Sequence, residues 1–378
     1  MSQPERILHV TGGLGAGGTE TWLVNVLRHI DPSRWRFDFL IHDPSLDFYR
    51  GEVEKLGSKV LICRKNILTF GRCFRDILRE GAYRIVHSHV FMSSGYVLRL
   101  AAKEGVPIRI AHAHNTYDKK GHSMIRRLRN KLMRRWIAEY ATHRIAASES
   151  AGNAVFGGNW RNRGGQVVFY GVDTDRFRTS PDGGRLKQEL GLQPDTFVVG
   201  HVGSFTKQKN HEFLLKVVAE TIKPDERVKF LLVGDGPLRE QVEHEAAQAG
   251  LKEHIIFAGL RRDVPELMSS VFDAFILPSL FEGLGLVAVE AQAAGLPCVI
   301  SDVVPPEADV VKSLVHRMSL AVGAPAWAEQ LLACKGVKPL EKAEALATVE
   351  RSPFNIEKSA ASLLAVYEKA LAGGVSAL

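Results

Sequence analysis

Phe281-Glu282-Gly283-Leu284-Gly285-Leu286-Val287-Ala288-Val289-Glu290 is the stretch that decides the fold. It follows an apolar run, Ala274–Leu277, which predicts a short buried strand. The apolar residues 284–294 then predict a buried helix, which a Gly-Leu-Pro sequence ends. Glu282 is therefore expected in the loop at the carboxyl end of a strand, and Glu290 about two turns into the helix.

The start of this predicted helix has the chemistry of an anion site. Backbone N–H groups near Gly283, Leu284 and Gly285 are expected to point outward from the start of the helix, where they can donate to phosphate. The carboxylates of Glu282 and Glu290 can accept hydrogen bonds from hydroxyl groups. One segment therefore offers both halves of a site for a nucleotide-sugar.

Strand-like runs alternate with helical patterns along the whole chain, which predicts βαβ units and parallel sheets. Two series of strands predict two Rossmann-like domains, 1–169 and 170–354, with the boundary near Phe169–Asp173. Because ligands of such sheets bind at the carboxyl ends of the strands, we expect a site in a cleft between the domains. The first series comprises Arg6–Val10, Asp38–Ile41, Lys59–Ile62, Ile85–His87, Ile108–Ala111 and Ile145–Ala147, and the second comprises Phe197–Gly200, Lys229–Val233, Ile255–Phe257, Ala274–Leu277 and Cys298–Ile300.

Composition and charge narrow the class of protein. A hydrophobic fraction of 45% and a charged fraction of 24% are typical of a soluble globular protein. The net charge of +7 divides into +13 for residues 1–169 and −6 for residues 170–378. The first half therefore favours an anionic partner, and a membrane phospholipid or a lipid diphosphate fits better than nucleic acid, for which we find no motif.

Cysteine usage and hydropathy predict the compartment. The four cysteines lie far apart without a Cys-x-x-Cys pair, which argues against a zinc site and a disulfide framework. No apolar run approaches the ~20 residues that span a bilayer. A strand-like run begins almost at once, which leaves no room for a signal peptide. We therefore expect a cytoplasmic protein, peripheral on the inner face of the cell membrane at most.

The pattern Pro-Ser-x-x-Glu-Gly-x-Gly at 278–285, with seven residues between Glu282 and Glu290, resembles the donor motif of retaining GT-B glycosyltransferases. The family is glycosyltransferase family 4 (group 1), the resemblance covers nearly all of the chain, and it is closest to bacterial enzymes of exopolysaccharide and capsule assembly. It implies an α/β GT-B fold whose C-terminal helix, 355–371, packs back on the first domain. It also implies transfer from a nucleotide-sugar, a UDP-sugar, to a glycan or polyprenyl-diphosphate-linked acceptor, with no other cofactor and no metal.

The resemblance also assigns roles in the second domain. Glu290 would hold the ribose hydroxyls, Glu282 would orient the donor sugar, and the N–H groups at Gly283–Gly285 would take the diphosphate. Family members carry Gly-Arg after the first strand of this domain and a Lys about five residues later. Lys209 fits the lysine position, but Ser204 stands where Arg is usual. Ser204 can donate a hydrogen bond but supplies no charge, so another cation would have to compensate.

Histidines end two predicted strands of the first domain. Aligned on the family's His-Asn pair, His114 is the match, and the resemblance places it near the anomeric carbon as a catalytic residue; His112 is not the match. His87 and His89 end the preceding strand, either as acceptor contacts or supporting residues, or as structural residues. Two histidines at i, i+2 can indicate a metal. No third ligand has a suitable spacing in the sequence, so we predict no metal site.

The segment 11–20 is a glycine-rich turn between a strand and a helix. It lacks a clean Gly-x-Gly-x-x-Gly pattern and the Lys-Ser/Thr of a P-loop, and it fits a tight turn equally well. In the family this loop borders the acceptor and the donor phosphates, which assigns Gly17 and Gly18 to the donor.

Three other features have competing interpretations. Arg261 and Arg262 follow a strand where the family binds the nucleotide base, and we assign both to base contact. Asp173-Thr174-Asp175 has the Asp-x-Asp form that binds manganese in another class of glycosyltransferase, but its place in the predicted linker favours a hinge. Residues 126–135 hold six cations around an apolar stripe, 128–136. We expect the stripe to pack in the core, and the cations to face solvent or to bind a diphosphate lipid or an anionic membrane surface.

Two other classes of function stay open from the sequence. A sugar-nucleotide epimerase on the same architecture would act without an acceptor. A non-catalytic subunit could bind a nucleotide-sugar for a partner transferase, since Ser204 breaks the usual cation pair. An NAD oxidoreductase has no use for Glu282 and Glu290.

Overall fold

The apolar runs of the sequence form the strands of two parallel sheets. The computed structural model describes residues 3–64, 66, 69–116, 123–178, 182–336 and 341–373. The chain divides into a first unit, Met1–Gly171 with Ile356–Leu378, and a second unit, Val172–Asn355. The first unit ends at Gly171, two residues after the boundary at 169/170 predicted from the sequence. Each unit is a parallel sheet with helices, so the fold is the pair of Rossmann-like domains expected from the alternating pattern.

The first unit holds a seven-stranded sheet in the order β3-β2-β1-β4-β5-β6-β7. Its strands are β1 (Glu5–Thr11), β2 (Trp35–Ile41), β3 (Val60–Ile62), β4 (Ile85–Ser88), β5 (Ile108–Ala113), β6 (His143–Ala146) and β7 (Gln166–Val167). Its first six helices are α1 (Gly18–His29), α2 (Arg50–Lys55), α3 (Phe70–Gly81), α4 (Ser94–Lys103), α5 (Met124–Tyr140) and α6 (Glu149–Phe156).

The second unit holds a six-stranded sheet in the order β10-β9-β8-β11-β12-β13. Its strands are β8 (Val198–Val202), β9 (Lys229–Val233), β10 (Ile255–Gly259), β11 (Ala274–Leu277), β12 (Cys298–Ser301) and β13 (Val315–Met318). Its helices are α7 (Gly183–Glu189), α8 (His211–Ile222), α9 (Arg239–Gln248), α10 (Val264–Ser270), α11 (Leu286–Ala293), α12 (Ala324–Ala333) and α13 (Lys342–Arg351). The central strand β11 is buried at all four positions, as helices on both faces of a parallel sheet require.

The last helix, α14 (Ile356–Ala372), belongs to the first unit. It packs on α1, where the indole nitrogen of Trp22 donates to Ser359 Oγ at 2.8 Å. Ser359 Oγ in turn donates to the backbone carbonyl of Phe169 at 2.6 Å. Tyr367, further along α14, is fully buried and reaches the centre of the sheet, where its hydroxyl bonds to His87.

Helix α5 corrects the expectation for the apolar stripe. Leu128 and Leu132 are 71% and 42% exposed instead of lying in the core, while Met133 and Trp136 are half-buried. The reason is local: α4 covers α5 at Met133, where the absent side chain of Gly95 makes room for the backbone, and at Trp136, which Tyr96 and Arg99 of α4 contact. The earlier turns extend beyond these contacts. Within the described residues, no helix is both long enough and apolar enough to cross a bilayer.

Candidate active site

Three loops of the second unit meet at the carboxyl edge of its sheet. The loop after β8, residues 203–210, is tied to the neighbouring loops by backbone bonds. Gly203 N–H donates to the carbonyl of Val233 at 2.9 Å, and Leu280 N–H donates to the carbonyl of Gln208 at 2.8 Å. The Asn210 side chain adds a bond to the carbonyl of Pro278 at 3.1 Å. These bonds hold the loops after β8, β9 and β11 in one fixed arrangement.

Glu282 is the centre of this loop cluster. Its Oε1 lies 2.7 Å from Lys209 Nζ and accepts from Ser279 Oγ at 2.7 Å, while Gln208 Nε2 donates to Oε2 at 3.1 Å. The side chains of Lys209 and Glu282 are 12% and 7% exposed. The structure thus brings together two residues that the sequence assigned to different parts of the donor, and the shielded charges interact more strongly than a surface pair.

Gln208 and Ser279 are contacts of Glu282 that the sequence analysis did not assign. Ser279 stands three residues before Glu282 inside the motif, so its position was a usable signal. Gln208 precedes Lys209 within a single turn of 3-10 helix, Lys207–Lys209. Its role depends on how that turn sits against β11, which no local pattern encodes.

Helix α11 is shorter than predicted. It begins at Leu286, so Glu290 lies just over one turn from its start instead of two. The preceding residue, Gly285, has a φ of +81°, and a Cβ there would lie 2.9 Å from Val304 Cγ1. Only glycine meets both conditions at low cost, and this sharp turn ends the loop that the apolar pattern had counted as helix.

Glu290 has an altered proton affinity. Burial of the carboxyl group raises its pKa to about 7, and the positive charges of Arg176 and Lys209 oppose that rise. Arg176 Nη2 donates to the backbone carbonyl of Arg262 at 2.6 Å and pairs with Glu266 at 3.4 Å. Arg176, which the sequence analysis missed, thus connects the predicted base-binding loop with the electrostatics of Glu290.

The remaining second-unit candidates differ in their exposure to solvent. Ser204 and Lys207 are exposed, and Gly283, Leu284 and Gly285 are buried. Arg262 is exposed, whereas Arg261 Nε donates to Asp263 Oδ1 at 2.8 Å. Asp175 of the Asp-x-Asp segment pairs with Arg178 at 3.0 Å on the surface.

The first unit presents a different cluster, which we call the histidine cluster: His9, His87, His89, His112 and His114. The strands β1, β4 and β5 are adjacent, and His9 pairs with His87 in the parallel register. Because alternate residues of a strand share a face, all five imidazoles lie on one face of the sheet.

Hydrogen bonds join the histidine cluster into two chains. His9 Nδ1 lies 3.0 Å from His89 Nε2, and His89 Nδ1 lies 2.7 Å from His114 Nε2. His114 Nδ1 is hydrogen-bonded to the hydroxyl of Tyr170. In the second chain, His112 Nδ1 lies 3.1 Å from His87 Nε2, and His87 Nδ1 lies 2.6 Å from the hydroxyl of Tyr367.

Desolvation controls the charge of these imidazoles. Burial lowers the pKa of all five histidines, to about 3 for His89, and their neighbours' charges lower several of them further. The cluster is therefore neutral at physiological pH. The glycine-rich loop joins it through Tyr170, whose hydroxyl also lies 3.1 Å from Thr19 Oγ1, directly after Gly17 and Gly18.

The prediction that no third candidate ligand accompanies His112 and His114 is wrong, because His89 lies beside them. One ring nitrogen each of His89, His112 and His114 lies within 4.8 Å of the other two, and His9, His87 and His89 form a second such group. The third member comes from the neighbouring strand, so spacing along the sequence cannot show it.

Comparisons with known proteins agree with this architecture. The family model "Glycosyl transferases group 1" matches residues 184–334, and "Glycosyltransferase Family 4" matches residues 16–176. A Bacillus subtilis (strain 168) protein named "Putative glycosyltransferase EpsF" is 36% identical over 375 residues, which is 97% of each chain. The Escherichia coli UDP-Gal:alpha-D-GlcNAc-diphosphoundecaprenol alpha-1,3-galactosyltransferase is 29% identical over 242 residues, 60% of each chain.

Solved structures share the fold. The crystal structure of Anabaena HepE in complex with UDP and glucose superposes with a TM-score of 0.80 at 20% identity, covering 97% of this chain and all of that one. WaaG, a glycosyltransferase involved in lipopolysaccharide biosynthesis, gives a TM-score of 0.71 at 16% identity over 94% of this chain and 98% of its own. The chain therefore belongs to the group 1, family 4 glycosyltransferases and has their two-domain GT-B fold.

Proposed function

We propose that this glycosyltransferase moves a sugar from a UDP-sugar to a glycan or polyprenyl-diphosphate-linked acceptor, with retention at the anomeric carbon. The process it would serve is the assembly of exopolysaccharide, capsule or another cell-envelope polysaccharide. The observation that carries the proposal is the buried Lys209–Glu282 pair in the unit that also holds Glu290 and the start of α11. Two similar proteins support the choice of donor: the Escherichia coli galactosyltransferase named for UDP-Gal and HepE, whose crystal structure contains UDP and glucose.

The chemistry that this site must perform is the departure of a diphosphate. Negative charge develops on the leaving oxygen as the glycosidic bond breaks, and fixed positive groups lower the barrier. Lys209 and the N–H groups of Gly283–Gly285 would supply that stabilisation, so no metal ion is needed for transfer. Ser204 would add a hydrogen bond to the leaving group.

The two glutamates would divide the recognition of hydroxyl groups. Glu290 would accept from the ribose, while Arg261 and Arg262 contact the base. Glu282 would accept from the donor sugar, and its bonds to Ser279, Gln208 and Lys209 fix the orientation of the carboxylate before substrate arrives.

In the first unit, His114 is our candidate for contact with the sugar being transferred, and Gly17 and Gly18 for the donor phosphates. A neutral imidazole can donate one hydrogen bond and accept one. Since Nδ1 of His114 is bonded to Tyr170, Nε2 is the nitrogen left for a substrate hydroxyl that displaces His89.

The decisive experiment follows nucleotide release from a panel of UDP-sugars, with and without an undecaprenyl-diphosphate-GlcNAc acceptor. Acceptor-dependent release of UDP would support the transferase and name its donor, and the anomeric coupling constant of the product would test retention. Thermal stabilisation without release under any acceptor would favour a binding subunit. UDP-sugar converted without an acceptor would favour an epimerase, and no stabilisation by any nucleotide-sugar would overturn the proposal.

We further propose that the protein binds the cytoplasmic face of an anionic membrane, where it would reach a lipid-linked acceptor. The first turns of α5 expose Met124, Ile125 and Leu128 at 85%, 83% and 71%. Cations at 126, 127, 129 and 131 alternate with them. Apolar side chains can enter the lipid interface while each nearby cation adds about 1 kcal/mol on anionic lipid.

Vesicle sedimentation tests this extension. Wild type should sediment with phosphatidylglycerol vesicles more than with phosphatidylcholine vesicles, and less at high salt. Ile125→Ser with Leu128→Ser should lower the bound fraction several-fold, whereas Val322→Ser, an equally simple loss of an exposed apolar side chain in the second unit, should not. Equal binding by all three proteins would exclude α5 as the membrane contact.

A further inference from the structure

Three residues of the histidine cluster, His89, His112 and His114, have the arrangement of a metal-binding site. His89 and His114 lie just past the ends of β4 and β5 and are partly exposed, whereas His112 is 1% exposed. One ring nitrogen from each lies within 4.8 Å of the other two. Tetrahedral zinc with bonds of ~2.0–2.1 Å needs ligand nitrogens about 3.3 Å apart, so only small movements separate this group from a ligand set.

Each of these three imidazoles has its other nitrogen held by a partner. His114 Nδ1 is bonded to Tyr170, His89 Nε2 to His9, and His112 Nδ1 to His87. A hydrogen bond to the second ring nitrogen is what orients imidazole ligands around metal ions, and here a tyrosine hydroxyl and two imidazoles take the place of the usual carboxylate or carbonyl partners. The ring nitrogens that remain are Nε2 of His114, Nδ1 of His89 and Nε2 of His112.

His112 Nε2 supplies an independent observation. It is buried and has no hydrogen-bond partner within the described part of the chain. A buried ring nitrogen without a partner costs free energy, on the order of 1–3 kcal/mol. A bound ion would remove that cost.

We propose that His89, His112 and His114 form a binding site for one divalent ion of the zinc class, with a fourth position open on the side where His89 and His114 reach solvent. Imidazole ligands favour Zn²⁺, Co²⁺, Ni²⁺ and Cu²⁺ over Mg²⁺ and Ca²⁺. Three histidines with one open position are also an established zinc geometry.

The protons balance without any release. With the ion bound, His114 Nδ1–H donates to Tyr170, His89 Nε2–H donates to His9, and His112 Nδ1–H donates to His87. Nδ1–H of His87 then donates to the hydroxyl of Tyr367. All five imidazoles stay neutral, and the only bond lost is the one between His89 Nδ1 and His114 Nε2.

The ion would inhibit transfer, because it takes the nitrogen of His114 that is left for the substrate. This consequence rests on the proposed function, whereas binding of the ion does not. The site would therefore make the enzyme sensitive to free zinc without making zinc a requirement for catalysis.

Titration of chelator-treated protein with Co²⁺ tests the site directly. Wild type should bind one Co²⁺ per chain with the intense visible absorption of tetrahedral cobalt, and Zn²⁺ should abolish that absorption. His112→Gln should bind at least 100-fold more weakly, while His244→Gln, which changes an exposed histidine of the second unit, should match wild type. Thermal melting checks that each variant folds.

Each outcome decides one part of the inference. Wild type that binds no Co²⁺ at micromolar concentration, or binding that His244→Gln weakens as much as His112→Gln, would overturn the site and leave a hydrogen-bonded network of imidazoles. Since wild type alone shows the stoichiometry and the spectrum, a misfolded variant does not remove the test. One equivalent of Zn²⁺ should suppress acceptor-dependent UDP release. If Zn²⁺ binds without suppressing release, the site stands but its inhibitory effect is refuted. If UDP is released and no metal ion binds, the site is refuted and the transferase is supported.

Discussion

The candidate residues of both units lie at the carboxyl ends of parallel strands, yet they are charged in the second unit and neutral in the first. In the second unit, Lys209 and Glu282 are a charged pair held at 2.7 Å. In the first unit, burial strips the histidine cluster of charge and leaves hydrogen bonds between neutral rings. The shared order of the first six strands in each sheet therefore determines where the candidate residues lie but not which chemistry they perform. Fixed charge suits a diphosphate, whereas neutral imidazoles suit hydroxyl groups or a soft ion.

Removal of the positive charge of Lys209 should have the largest effect on the rate of transfer. Lys209→Ala should lower acceptor-dependent UDP release by about 10²–10³-fold, the size expected for one lost donor to developing charge. Lys207→Ala removes an exposed lysine from the same turn and should change the rate by less than about 3-fold. The assay is release of UDP at saturating donor, with thermal melting of each variant.

The single substitution also leaves Glu282 buried without its cation, which should lower the free energy of unfolding by about 3 kcal/mol or more. Lys209→Met combined with Glu282→Gln should recover stability but not activity. If Lys209→Ala and Lys207→Ala lose the same activity, the buried pair has no special part in transfer and the comparison between the two edges fails.

The second test uses the raised pKa of Glu290. A protonated carboxyl group accepts from ribose hydroxyls less well than a carboxylate, so UDP-sugar affinity should rise as pH increases through about 7. We expect roughly 10-fold tighter binding at pH 8 than at pH 6, because each pH unit below the pKa removes up to tenfold of the ionised form. Calorimetric titration with the donor measures it.

Glu290→Gln provides the control for this pH dependence. It should bind the donor more weakly than wild type at pH 8 and show little change down to pH 6. The diphosphate of a UDP-sugar does not titrate in this range, so a wild-type slope that persists in the variant would assign the proton to another group.

The same contrast explains what the sequence could and could not predict. The bounds of β9 and β11 are those of the apolar runs, because buried strands bounded by turn residues leave a sharp local signal. The two-residue β7 was missed for its length. The edge strand β13 was missed because its half-exposed residues, Val315–Met318, form no apolar run.

Within the candidate site, local motifs predicted the charged residues but not their partners. Lys209 and Glu282 were found separately, 73 residues apart, and only the adjacency of β8 and β11 brings them to 2.7 Å. Arg176, directly after the Asp173–Asp175 segment that the sequence assigned to a hinge, reaches the carbonyl of Arg262 across 86 residues. His89 joins His112 and His114 through the register of β4 and β5, and that register is set by packing of whole strands.

The smallest effect on the rate is expected from Tyr170, whose hydroxyl links the glycine-rich loop to the histidine cluster. The hydroxyl of Tyr170 bonds to His114 and to Thr19, and its ring stacks on Trp22 with centroids 4.8 Å apart. Tyr170→Phe keeps the stacking but removes the group that holds His114 Nδ1. The loss of about 1 kcal/mol of hydrogen bonding should lower kcat by roughly 5-fold, with little change in KM for the donor.

Tyr49→Phe is the matched control, since the Tyr49 hydroxyl bonds at 3.0 Å to Thr21, which lies on the same helix α1 as Thr19. Both substitutions should cost similar stability, but only Tyr170→Phe should change kcat. Equal kinetic effects would mean that the hydroxyl bonds merely secure α1. The histidine cluster would then be a packing device, and only the charged edge of the second unit would remain as a site of chemistry.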